Sequence, residues 1–228
     1  MRYHLDKSIQ ELKDEIGRLG GMVEESLDKT FIALREMNVD LAKDVIAHDD
    51  EIDNLENNIE KQCLSLFALQ QPLAKDLRMI GSTLKMITDL ERIADHSADI
   101  AELTIRMAEK PFKINPEIYS MAEKARIMVG RSIDAFINQD VQTAKEVCQA
   151  DDEVDQLFNA LVMDIAAQIK SGEQWVEQLI DMMFIVKYLE RIGDHATNIS
   201  EWVVYNETGM HQHLQHPELH TRESTGQD

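Results

Sequence analysis

Aromatic residues are scarce in this chain, at 5% of 228 residues, and so are proline (4) and glycine (9). A chain with so few turn formers and ring side chains is a poor candidate for a β-sandwich or a loop-rich fold. Cysteine is nearly absent. Cys63 and Cys148 are isolated, with no CxxC, in apolar helical contexts, which predicts two buried thiols in a reducing cytoplasm rather than a disulfide or a thiolate site. Basic residues are few: 23 Lys and Arg face 43 Asp and Glu, for a net charge of −20 and a pI near 4.7. Such a chain repels nucleic-acid phosphates and anionic lipid, so nucleic-acid binding is excluded and a membrane is reachable only through partners. No stretch approaches the roughly 18 apolar residues of a spanning helix, and "MRYHLDKSIQ" is no signal peptide. A cytoplasmic protein is expected. Catalytic signatures are missing too: there is no Gly-rich phosphate loop, no nucleophile elbow, no HExxH and no Ser or Cys with a base nearby, so the chain does not read as an enzyme.

What is present favours helix. Ala, Leu, Ile, Met, Glu, Lys and Gln dominate, and apolar residues recur at steps of three and four almost everywhere. The pattern predicts helices over about residues 5–37, 41–69 and 75–108, then a restart near 116, near 141 and over 174–205. Asn38 and Asp40 suit a cap between the first two, and Pro72 can open the third. "EKPFKINPE" (109–117), with two prolines, is the one good linker, and "KSGEQ" (170–174) marks the last gap. The gly pair of "RLGG" (18–21) suits close helix packing or a kink, and the twelve Met residues sit at core spacing. An all-α chain is expected: a first three-helix bundle over 1–108, a linker at 109–115, a second bundle over 116–207, and a disordered tail at 208–228 carrying His211, His213, His216 and His220.

The restart is an internal repeat. "MVEESLD" (22–28) matches "MVGRSID" (128–134), "AHDDEID" (47–53) matches "QADDEVD" (149–155), and "LERIADHSADIAE" (90–102) matches "LERIGDHATNISE" (189–201). Three matches in one order, one per helix, describe a duplicated three-helix unit. The first pair is offset by 106 residues and the second by 102, so between those two matches the second half lacks four residues, roughly one helical turn.

The repeated letters carry acid. Glu91, Asp95 and Asp99 are spaced four apart, as are Glu190, Asp194 and Asn198, and such residues share a helix face. Asp49 and Asp53 in the second helix, and Asp151 and Asp155 in the fifth, could face those stripes and build a patch of carboxylates in each half. Like charges so close need compensation. Oxygen ligands suit Mg, Ca or Mn, and a set with a nearby His suits Fe or Zn. His96 and His195 follow the key Asp directly, which aims them elsewhere, so they are not assigned as ligands. From spacing alone a cation patch and a solvated acidic face both remain open. The Glu-x-x-His of di-iron bundles is absent from both stripes. A metal-dependent hydrolase or oxidase and a metal-free helical scaffold both stand open at this point.

Taken together, "LERIADHSADIAE", "LERIGDHATNISEW", "QQPLAKDLR" (70–78) and "GGMVEESL" (20–27) resemble the PhoU family, over about residues 5–207. The resemblance implies two three-helix bundles related by pseudo-symmetry and a cytoplasmic protein that tends to form a homodimer. It implies a non-catalytic adaptor between the ATPase of a phosphate ABC transporter and a phosphate-sensing histidine kinase. Such an adaptor keeps starvation genes off and restrains uptake. It also implies multinuclear sites for divalent or trivalent metal (Fe, Zn, Mn or Mg) on Glu91, Asp95 and Asp99 and on Glu190, Asp194 and Asn198, supported by Asp49, Asp53, Asp151 and Asp155. Asn198 is uncharged, which predicts a weaker second site. The second half has no counterpart of "QPLAKDLR", so Asp76 and Arg78 are candidates for partner contact, or for an ordinary helix start.

Overall fold

The computed structural model describes residues 2–70, 72–110, 112–172 and 174–210. Six helices account for nearly all of them: α1 (Arg2–Glu36), α2 (Val39–Gln70), α3 (Ala74–Ala108), α4 (Pro116–Asn138), α5 (Val141–Lys170) and α6 (Val176–Thr208). The boundaries follow local chemistry. Met37 takes φ 51°, the left-handed region, and Asn38 then accepts the Leu41 amide at 3.1 Å to start α2. The second half repeats the device: Gln139 takes φ 56°, and Asp140 accepts the amides of Gln142 and Thr143. Asn115 caps α4 through the Glu117 amide, with Pro116 at the first helical position. Pro72 does not open α3. The helix begins at Ala74 after an extended Leu73 with no side-chain cap. Likewise α6 starts at Val176 rather than 174, and it runs to Thr208, where Gly209 at φ 73° ends it. Residues 211–228, with the four tail histidines, lie outside the described residues.

Helices α1, α2 and α3 pack on one another, as do α4, α5 and α6. The two bundles then join through α1 with α4 and through α3 with α6, while α2 and α5 pack only within their own bundles among the described residues. Both joints are antiparallel. Arg106 pairs with Asp181 and Lys110 with Glu177 at one end of the α3–α6 seam, and Arg78 bonds the Asn206 carbonyl at the other. Along α1–α4, Gly20 faces Ile133 and Asp28 reaches Arg126. Gly20 is therefore a close-approach site, since a Cβ there would stand 2.8 Å from Ile133 Cγ2, and α1 continues unbroken through it. The arrangement is a two-fold pseudo-symmetric pair of three-helix bundles, with no strand among the described residues. Leu12, Ile16, Leu19, Ile80, Ile87 and Leu90 are among the fully buried side chains. Several buried hydroxyls on α3 and α6 are absorbed by their own helices, as Ser97 donates to the Ile93 carbonyl and Ser200 to that of Ala196, whereas the Ser82 hydroxyl has no partner. No helix among the described residues is long and apolar enough to cross a membrane.

Candidate metal centre

The groove between α2 and α3 gathers the first set of acids. One carboxylate oxygen each from Asp49, Asp53 and Asp95 lies within 4.8 Å of the other two, and among the described residues this is the one such trio of metal-type side chains. Asp53 Oδ1 is buried without a hydrogen-bond partner. Partial burial, then repulsion from Asp53 and Asp95, pushes the Asp49 carboxyl up to about 6. Burial and the neighbouring acids also raise Asp53, Glu91 and Glu56. Arg92 bonds Asp95 at 2.8 Å and approaches Glu91 at 3.3 Å, but its side chain is 55% exposed and sits at the rim. No cation is among the charges that dominate at Asp49. Three converging hard oxygen donors, an orphaned buried oxygen and uncompensated repulsion fit a hard cation, of the Mg, Mn or Fe class.

The i+8 members of the stripes turn away. Each four-residue step overshoots a full turn by about 40°, so the third residue is displaced by about 80°. Asp99 approaches His96 Nδ1 at 3.5 Å, and Tyr188 of α6 is a further neighbour. Asn198 donates its amide to Asp89 Oδ1 at 3.2 Å, across the α3–α6 seam. The expectation placed both in metal sites. The structure gives Asn198 this other partner and leaves Asp99 at the edge of the first cluster, close enough to bear on Asp49.

The seam holds groups that sequence reasoning missed. His195 Nδ1 lies 2.8 Å from Asp89 Oδ1, and a carboxylate only accepts, so that nitrogen carries the proton. His96 stacks on Tyr188 with ring centres 5.2 Å apart and tilts over His195 at 5.7 Å. Burial lowers the His96 pKa, only partly countered by Asp99. Thus the histidines beside the key aspartates join the two bundles. Comparing repeat with repeat gives no sign of Asp89, because its counterpart is Tyr188 and its partner lies in the other copy.

The second groove, between α5 and α6, is built differently. Asp151 is only 5% exposed, and it packs where Gly193 replaces the Ala94 of the first half. A Cβ at Gly193 would lie 3.2 Å from Asp151 Oδ1, so the one changed letter of the "LERI-DH" repeat makes room for this carboxylate. Glu190, 14% exposed, holds Lys187 Nζ at 2.5 Å. Burial, then Glu190, pushes Asp194 up to about 6; Lys187 opposes this, and Asp155 adds to it. Of the two partner-contact candidates, Arg78 is engaged within the chain, its Nε donating to the Asn206 carbonyl at 3.2 Å. Asp76 stands half-buried in the first turn of α3, where an acid suits the helix dipole.

Known proteins match over this whole architecture. The family described as "PhoU domain" matches twice, at residues 16–104 and 118–203, one match per bundle. The phosphate-specific transport system accessory protein PhoU homologue of Clostridium acetobutylicum is 38% identical over 206 residues, covering 90% of this chain and 94% of that protein. The homologue of Aquifex aeolicus is 38% identical over 214 residues, covering 92% and 97%. The crystal structure of PhoU from Pseudomonas aeruginosa superposes with a TM-score of 0.88 at 30% identity, over 90% of this chain and 99% of that one. That of the phosphate transport system regulatory protein PhoU from Streptococcus pneumoniae gives 0.87 at 30% identity, over 92% and 99%. With both bundles matched and relatives aligned over nearly their full length, the chain belongs to the PhoU family.

Proposed function

We propose that this protein is a cytoplasmic negative regulator of phosphate uptake and of phosphate-starvation signalling. It acts without catalysis, as an adaptor between the ATPase of a phosphate ABC transporter and a phosphate-sensing histidine kinase, and it reaches the membrane only through them. The observation that carries this reading is the double family match together with relatives named for the phosphate-specific transport system. The acidic trio adds the physical means. Asp49, Asp53 and Asp95 would hold a divalent or trivalent ion, and Glu91 and Glu56 stand beside them. When bound, that ion supplies positive charge and open coordination positions on an otherwise anionic face. The residues themselves converge from α2 and α3 and present a dense negative rim for docking on a basic partner surface, where charge sets association rate and specificity. A homodimer would present two such faces.

The test is deletion and complementation with a starvation-promoter reporter, joined to pull-downs of the ATPase and the kinase. Wild type should silence the reporter in high phosphate and retain both partners, whereas Asp53→Asn/Asp95→Asn should lose metal and weaken retention. A reporter that stays silent in the deletion strain, or retention of neither partner by wild type, would end the adaptor reading. Light scattering on the same preparation reports the oligomeric state.

A further inference from the structure

The two halves are usually compared where their letters agree, but their differences fall at one place. With α2 and α5 aligned through Asp49 and Asp151, Glu56 corresponds to Phe158; with α3 and α6 aligned through Glu91 and Glu190, Thr88 corresponds to Lys187. The two exchanged positions meet in space. Lys187 Nζ stands 2.5 Å from Glu190 Oε2 and 5.2 Å from the centre of the Phe158 ring, an ion pair laid on an aromatic face. Its charge also bears on Asp194. In the first half the same positions offer the opposite. Thr88 is a neutral hydroxyl that donates to the Leu84 carbonyl, and Glu56 adds a further carboxylate next to Asp53.

The electrostatic consequence is asymmetric. The first groove has Asp49, Asp53, Glu56, Glu91 and Asp95 against one guanidinium at its rim. The second has Asp151, Asp155, Glu190 and Asp194, with the half-exposed Lys187 ammonium held against the nearly buried Glu190. A cation entering there must displace or approach that ammonium, and two like charges a few ångströms apart in a partly dry groove repel strongly. Glu190 is moreover already committed as an acceptor, and its 14% exposure leaves little room for a second cation.

We propose that Lys187, supported by Phe158, is a built-in counter-ion that takes the place of a metal ion in the second half, so that divalent metal loads on Asp49, Asp53 and Asp95 and not on Glu190 and Asp194. This rests on the metal reading of the first groove, and it replaces the two-site expectation with a one-sided one. Asn198, turned to Asp89, withdraws a further donor from the second stripe.

Chelator-stripped, untagged full-length protein is titrated with Mn2+, with bound ion counted by the loss of the free-ion electron paramagnetic resonance signal and by calorimetry. Wild type should show one class of sites, weakened about tenfold or more by Asp53→Asn, because that change removes a charged oxygen donor. Lys187→Thr/Phe158→Glu should add a second class and raise bound Mn2+ by about twofold, since Glu190 and Asp194 then lose the Lys187 ammonium. Lys187→Gln, which removes the charge and preserves the packing, should add the second class more weakly and stands in if the double variant loses its helical circular dichroism. The proposal is overturned if wild type loads both halves equally, so that Asp53→Asn removes half the ion and Asp194→Asn the other half. It is also overturned if folded Lys187 variants bind no more than wild type. A different result sinks the metal reading itself: no Mn2+ bound by wild type, or binding indifferent to Asp53→Asn.

Discussion

In metal-free protein Asp49→Asn should stabilise the fold at neutral pH. The Asp49 carboxyl is pushed from its ordinary 3.8 up to about 6 by burial and by Asp53 and Asp95. A carboxyl with a folded value above its unfolded one binds its proton more tightly in the native state. Stability is then full below the unfolded value and is lost as pH rises through the folded one, here between about pH 4 and 6. A shift of about two units corresponds to about 3 kcal/mol as a ceiling. Asp49 is partly solvated, and screening cuts this to about 1–2 kcal/mol. For a chain of this size that is about 3–6 °C in Tm. Melts in chelator at pH 7.5 should therefore place Asp49→Asn above wild type. A pH series should show wild type losing stability across the window and the variant losing less, since Asp194, also pushed to about 6, still titrates. Adding Mn2+ should reverse the order, because a ligand at about 100 times its Kd contributes about 2.7 kcal/mol to wild type and much less to a variant missing a donor. If Asp49→Asn melts below wild type in chelator, a buried charge beside Asp53 and Asp95 is not what destabilises this groove, and no cation is called for there.

Three further outcomes follow from the packing. His195→Ala removes the 2.8 Å contact to Asp89 and leaves that carboxylate only the Asn198 amide in the seam, so urea unfolding should show a loss of about 1–3 kcal/mol, with Asp89→Asn recovering part of it in the double variant. Gly193→Val drives a branched side chain toward Asp151 Oδ1, where even a Cβ would stand at 3.2 Å, and should lower stability by about 1–3 kcal/mol in the same assay. Cys63 and Cys148 are buried, and burial pushes both thiols up to about 12; a thiol reagent at pH 8 should label neither in the native protein and both once it is unfolded in urea.

Much of the fold can be read from periodicity, because each helix buries a continuous stripe and the few breaks carry Asn38, Asp140 or Pro116 at positions where a cap or first turn needs them. Pro72 and the start of α6 are harder, since no side chain caps either helix and the boundary rests on backbone geometry alone. The acids of the first groove were also legible, as two pairs at i, i+4 on neighbouring antiparallel helices. The third member of the second stripe has another partner: spacing by four holds a face over two residues and drifts off it by the third, which carries Asn198 into the seam, while Asp99 stays near enough to bear on Asp49. The seam itself pairs Asp89 with His195 and His96 with Tyr188, unlike positions in different copies, and no comparison of one repeat with the other shows such contacts.

The same limit explains why Lys187 escapes a reading based on repetition. Identity between copies marks what both halves need, which here is two helices meeting through Leu90, Ile93, Leu189 and Ile192, all fully buried. Function that has become one-sided lies in the letters that differ. Glu56 against Phe158 and Thr88 against Lys187 are small changes, yet together they replace a carboxylate and a hydroxyl by a ring and an ammonium. Burial of the Asp49 charge, together with repulsion from Asp53 and Asp95, costs about a tenth or more of the 5–15 kcal/mol that holds an ordinary domain together. In the second half Lys187 opposes that cost without removing it, since Asp194 is still pushed up to about 6. The first half carries neither change, so its carboxylates have only Arg92 at the rim, and the proposed cation is the charge that would offset the rest.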